Sequence, residues 1–135
     1  MTEYTACTTV RATSKNIKIK TESARSYLES YKMYAKMLEM REYEEKLFSL
    51  SNQEAKQAAA AYETVCLKTR MREIENFIEE LNIDSKWLEC KIFLKYHYIH
   101  GYTIEECSEK MYISRSTAYR LKKRALRFAA EGFSA

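Results

Sequence analysis

The strictest pattern in the chain is a run in which one side of a helix recurs in alternating steps of four and three: Ala60, Thr64, Leu67, Met71, Ile74, Ile78 and Leu81. Such steps keep returning to the same face of a 3.6-residue turn and predict a helix with a continuous seam, Thr64 being its only polar member. One step further back the seam meets Gln57, while Glu73, Glu75, Glu79 and Glu80 lie off it. Upstream, Leu28, Tyr31, Tyr34, Ala35, Leu38, Met40 and Leu47 repeat at roughly helical spacing with charges between them. They predict a helix to about Leu50, with Thr21 as its N-cap. Ser51-Asn52 is the natural break between the two. Residues 1–20 show no lasting period and are expected to form a flexible basic N-terminal tail. Within that tail the alternation Asn16-Ile17-Lys18-Ile19-Lys20 also suits a short strand or a DNA-touching arm.

A third segment starts at Asn82-Ile83-Asp84-Ser85. Asp84 or Ser85 is expected to cap a helix from Lys86 to about His100, whose apolar face is Trp87, Leu88, Ile92, Phe93, Tyr96 and Ile99. Gly101 follows as a stop residue. Thr103 stands three residues before Glu106, the spacing of a capping box, in which each side chain satisfies the other's unpaired N–H. A short helix to about Lys110 is expected, with Ile104 and Cys107 on one face and Ser108 small enough for a close helix crossing. Met111-Tyr112-Ile113 reads as a tight turn, Ile113 as a core plug and Ser114 as the cap of a second helix. In that helix Ala118 and Leu121 face inward, and Arg115, Ser116, Tyr119, Arg120 and Lys123 face outward.

Composition narrows the choice of fold. The chain has 135 residues, no proline and two glycines, which favours helices joined by few turns over a β-fold. No run approaches the roughly 18 apolar residues of a membrane span, and MTEYTACTTV lacks the apolar core of a signal peptide, so a cytoplasmic protein is expected. Cys7, Cys66, Cys90 and Cys107 form no paired motif and are expected to be free thiols. The nearest metal-like set, Cys90, His97, His100 and Cys107, matches no standard spacing. No metal or other cofactor is expected, and with no phosphate loop and no nucleophile–base pair an enzyme is not expected either.

Charge changes the picture more. Residues 1–84 carry 13 basic and 14 acidic side chains, whereas residues 85–135 carry 10 basic and 5 acidic. From Ser114 to Phe128 there are six basic residues, Arg115, Arg120, Lys122, Lys123, Arg124 and Arg127, and no acid. An acid-free basic helix after a short braced helix is the layout of a helix-turn-helix, with the second helix sized for the major groove of duplex DNA. Arg115 near the helix start suits bidentate contact to guanine. Ser116 and Thr117 suit phosphate or base edges, and Tyr119 suits a sugar or a thymine methyl. Lys122, Arg124 and Arg127 suit phosphate. Arg120, Lys123 and Thr103 complete the candidate DNA-binding set.

The stretch Leu94–Leu126 resembles region 4 of sigma factors. The likeness rests on Tyr98 and Gly101 in the lead-in, Thr103 and Glu106 at the helix start, Ile113, Ser114, Thr117, Tyr119 and Arg120 in the recognition helix, and Arg124, Ala125 and Leu126 in the basic tail. It covers about a quarter of the chain. The arrangement of a helical N-terminal part before such a C-terminus is also similar to phage-encoded transcriptional regulators of the ArpU and RinA kind. The sequence departs from the sigma pattern at His97, where arginine is usual, and at Tyr112, where glycine or asparagine commonly makes the turn. The resemblance implies a phage or prophage transcriptional regulator reading duplex DNA, with RNA polymerase as a further partner to consider.

The expected fold is therefore all-α: a tail at 1–20, a long helical hairpin or coiled coil at 21–84, and a helix-turn-helix domain at 85–135. Residues 21–84 are also expected to support a homodimer, since modules of this kind gain affinity by doubling their DNA contacts. The competing readings are a phage DNA-packaging or assembly protein with helix-turn-helix and oligomerising helices, and a factor that binds RNA polymerase or another protein more than DNA. A short helical bundle with a basic rim is the bland alternative.

Overall fold

A computed structural model describes residues 2–81 and 84–134, with side chains from Lys20 to Leu81 and from Asp84 to Gly132. Its elements are α1 (Thr2–Leu50), α2 (Glu54–Glu79), a 3₁₀ turn (Ser85–Trp87), α3 (Leu88–Leu94) running into a π-helical turn (Lys95–Ile99), α4 (Ile104–Lys110) and α5 (Arg115–Ser134). Among the described residues there is no strand. No helix there is long and apolar enough to cross a membrane.

The helical hairpin forms as the periodicity predicts. Ala60, Thr64, Leu67, Ile74, Ile78 and Leu81 are buried, and Ala24, Leu28 and Tyr31 of α1 share one cluster with Ile74, Ile78 and Leu81, with Met71 packed against it. The seam is thus consumed within the chain and is not presented to a second copy. The start of α1 differs from expectation. The backbone is helical from Thr2, so the expected tail is continuous with the hairpin and Thr21 lies inside the helix rather than capping it. Thr2–Leu50 contains no proline or glycine, the residues that most readily interrupt a helix. The tail's basic side chains at Arg11, Lys15 and Lys18, and Cys7, lie outside the described residues, as do Asn82 and Ile83. A second difference is that Met40 and Leu47 are exposed, at 61% and 45%, on the side of α1 away from α2.

Among the described residues three turns take left-handed backbone, one of them at glycine: Asn52 (φ 56°), Gly101 (φ 75°) and Tyr112 (φ 56°). At Asn52 the Gln53 N–H donates to Phe48 O (2.9 Å) and the Asn52 N–H to Ser49 O (3.3 Å), the two bonds of a Schellman closure. At Gly101 the closure is wider by one residue, because the preceding turn is π-helical: His100 N–H reaches Lys95 O and Tyr102 N–H reaches Tyr96 O, both at 3.0 Å.

One core joins all the helices. Tyr31, Ile74, Ile78 and Leu81 of the hairpin belong to the same buried cluster as Phe93, Leu94, Cys107, Leu121 and Phe128, so the core runs across the expected division at residue 84. Lys91 is part of that closure. It is 6% exposed, its Nζ donates to Glu79 O at 2.8 Å, and it lies 3.7 Å from the Glu79 carboxylate. A cation there satisfies a carbonyl at the C-terminal end of α2, where the helix dipole is negative. The α3 face is also shifted from expectation: Cys90, Lys91, Phe93, Leu94 and Tyr98 are buried, while Leu88 is 46% exposed. Gly132 allows α5 to close on the end of α2, since a Cβ there would stand 2.6 Å from Leu81 Cδ2.

Candidate nucleic-acid interface

The helix-turn-helix is built from short-range rules. Thr103 and Glu106 form the reciprocal capping box: Glu106 N–H donates to Thr103 Oγ1 (3.2 Å) and Thr103 N–H to Glu106 Oε1 (3.1 Å). This fixes the start of α4 at Ile104. Its end closes by a second Schellman pair, with Ile113 N–H donating to Ser108 O (3.0 Å) and Tyr112 N–H to Glu109 O (3.3 Å). Tyr112 takes the left-handed position that glycine ordinarily fills, and its side chain is 96% exposed. Ser114 then caps α5: Thr117 N–H donates to its Oγ (3.2 Å), and its hydroxyl donates to Thr117 Oγ1 (2.7 Å).

Packing decides which side of α5 remains free. Cys107 and Ser108 of α4 and Ala118, Leu121 and Ala125 of α5 are buried, so α4 and α3 cover one side of α5. Ser108 is small enough for the close crossing, and its hydroxyl is turned back to Glu105 O at 2.6 Å. Ile113 packs against the core at the turn. Further along, Leu126, Phe128, Ala129 and Ala130 are buried as well, because the C-terminal half of α5 lies in the shared core.

The candidate residues divide into four groups by position. Arg115, Ser116, Tyr119, Arg120, Lys123 and Arg127 are exposed and recur at one, three or four residues along α5, making one continuous acid-free face. Thr117 and Arg124 flank it. Thr117 is engaged by the Ser114 cap. The Arg124 guanidinium sits over the Trp87 ring (5.5 Å), donates to Lys86 O (3.0 Å) and approaches Glu89 (4.0 Å). Trp87 is in turn stacked on Phe128, with centroids 5.3 Å apart. A shallow cleft of about 160 Å³ lies here among Glu89, Thr117, Arg120, Leu121 and Arg124, where Glu89 offsets the two arginines. Lys122 is on the opposite flank, half-buried, with its charge felt at His97. Thr103 stands at the α4 start with its oxygen committed to the capping box.

Sequence reasoning missed Glu105. Its carboxylate accepts from the Tyr119 hydroxyl at 3.3 Å and lies 4.0 Å from Arg115 Nε, so one acid of α4 touches two side chains of the exposed face of α5. Its own backbone N–H holds the carboxyl below the ordinary value; desolvation opposes this, and Tyr119 and Arg115 add to it. The pairing spans the turn and leaves no periodic trace, so only the folded arrangement brings it out.

Beneath the interface the thiols are quiet. Burial raises the Cys90 thiol and pushes Cys107 up to about 11, so neither is a ready nucleophile. His97 Nδ1 lies 2.8 Å from Tyr102 O, the geometry of a ring N–H donating to that carbonyl, and burial lowers its pKa. Among the described residues no group of three or more His, Cys, Asp or Glu side chains converges on a metal-sized site. No protein-family model, no curated protein and no solved structure matches this chain.

Proposed function

We propose that this protein is a sequence-specific DNA-binding transcriptional regulator of phage or prophage type, which reads the major groove with the exposed face of α5. The observation that carries this reading is that face itself: Arg115, Ser116, Tyr119, Arg120, Lys123 and Arg127 project from a helix braced on its other side by α4. A helix fixed in this way can present base-reading groups near its N-terminus and phosphate-neutralising charges further along. Arg115, Ser116, Tyr119 and Arg120 are the base-proximal group, with Lys123 and Arg127 following the backbone. Thr103 falls outside this set, because its hydroxyl and its N–H are both taken by Glu106 in the capping box. The resemblance to sigma region 4 directs the reading toward promoter DNA and makes RNA polymerase a partner worth testing.

Selection of bound fragments from random duplex DNA, followed by anisotropy titration, tests the proposal. Affinity is expected to fall with salt, with a slope of about −2 in log–log form if Lys123 and Arg127 each neutralise a phosphate. The double variant Arg115→Ala, Arg120→Ala is expected to lose sequence preference while keeping its helical content, since both side chains are exposed. Unchanged selectivity in that variant would remove the assignment of α5 as the reading helix.

A further inference from the structure

Residues along the outer side of α1 form a second, apolar feature that the DNA reading does not use. Met33, Met37, Met40, Tyr43, Leu47 and Leu50 are exposed by 37–83% although they follow one another in steps of three and four. Single exposed apolar residues are ordinary, but six in a stripe over about 27 Å of helix make a contiguous patch of the size that marks an interaction surface. The inner side of α1 is already taken by α2, so the stripe has no partner within the chain.

Charge identifies the occupant. Residues 32–38 carry Lys32 and Lys36 and no acid, whereas residues 39–45 carry Glu39, Glu42, Glu44 and Glu45 against Arg41 alone. Arg41 is already tied to Glu44 and Glu63 of its own chain, and Lys32 and Lys36 take no ion pair among the described residues. We infer that this face docks a second copy of the same chain, with the two α1 helices antiparallel about a two-fold axis near Met40. In that register Met33 faces Leu47 of the other copy, Met37 faces Tyr43, and Lys36 faces Glu44. Each basic segment then lies on an acidic one; a parallel pair would set like charge on like charge. The interface lies on the opposite side of α1 from the hairpin seam. It leaves α5 uncovered on both copies and stands independently of the DNA reading.

Sedimentation velocity of the full chain from about 5 to 200 µM tests the inference, with a dimer expected in the upper part of that range. Met40→Glu and, separately, Met37→Lys are expected to give monomers of unchanged helical content, while Val65→Glu on the outer side of α2 leaves the dimer intact. In a Cys7→Ser, Cys66→Ser background, Met40→Cys is expected to cross-link with itself. Met33→Cys is expected to cross-link with Leu47→Cys but not with itself. A monomer at every concentration, including one that gains mass only when a different protein is added, overturns the proposal. So does a dimer that survives Met40→Glu, or Met33→Cys linking to itself as readily as to Leu47→Cys. Failure of the DNA reading is seen separately, as an intact dimer that ignores duplex DNA.

Discussion

Tyr112 offers the most direct test of how the turn is held. It sits at φ 56° between α4 and α5, and its ring is 96% exposed. A side chain in left-handed backbone costs about 1–2 kcal/mol, because Cβ crowds the following carbonyl. Nothing offsets that cost through packing, since the ring is in solvent. Tyr112→Gly removes it and adds about 0.4–1 kcal/mol of unfolded-state entropy, for an expected net gain of about 0.5–1 kcal/mol. For a domain of this size the gain corresponds to a rise in Tm of roughly 2–4 °C. Tyr112→Asn should fall between the two, and Tyr112→Val should lose about 1 kcal/mol or more, because a branched Cβ fits left-handed backbone worst. Thermal melts of the four proteins at one concentration give the ranking Gly, Asn, Tyr, Val. A loss of stability in Tyr112→Gly would show that the ring contributes contacts or that the turn is not left-handed in solution, and either result refutes the reasoning.

Other substitutions probe the packing and the charges. Lys91→Met keeps the apolar stem but leaves Glu79 O without its donor, at an expected cost of about 1–3 kcal/mol by urea unfolding; an unchanged midpoint would mean water replaces the ammonium. His97 has a folded pKa below its ordinary 6.5, so its contribution to stability is full above that pH and is lost as pH falls below it; His97→Gln should flatten the decline between pH 7 and 5, and a parallel decline in both proteins would assign it elsewhere. Arg124→Ala should lower stability by about 1 kcal/mol through loss of the Trp87 contact and the Lys86 bond, with little change in the salt slope of DNA binding. Arg127→Ala should do the reverse, leaving stability within about 0.5 kcal/mol and reducing the slope by about one.

The parts of the fold that the sequence discloses are those whose causes lie within a turn or two of helix. The Thr103–Glu106 box, the Ser114 cap and the inward Ala118 and Leu121 are all local, and all are present. The α2 seam is equally plain, although periodicity alone does not say whether its partner is α1 or another chain. What escapes is non-local. A lysine reads as solvent-facing, yet Lys91 is buried because a helix end elsewhere in the chain needs a donor. Arg124 reads as one more phosphate ligand, yet Trp87 lies beneath it. The extra residue that makes Lys95–Ile99 π-helical leaves no mark in the pattern.

The arrangement of α5 ties these observations together. Its N-terminal half exposes the basic face, while Leu126, Phe128, Ala129 and Ala130 are buried in the same cluster as Ala24, Leu28 and Tyr31 of α1. One unbroken helix therefore carries both the candidate reading surface and the contact that holds the hairpin. A helix bends little between its ends unless proline, a bulge or an inserted group interrupts it, and α5 contains no proline. The orientation of α1 is thus fixed relative to the exposed basic face of α5, not left to a linker. In an antiparallel pair of α1 helices that rigidity would set the spacing between two recognition helices, so the operator half-sites should tolerate no insertion short of a full helical turn, about 10 base pairs. Binding that is indifferent to half-site spacing would show instead that the two copies, or the two halves of α5, move independently.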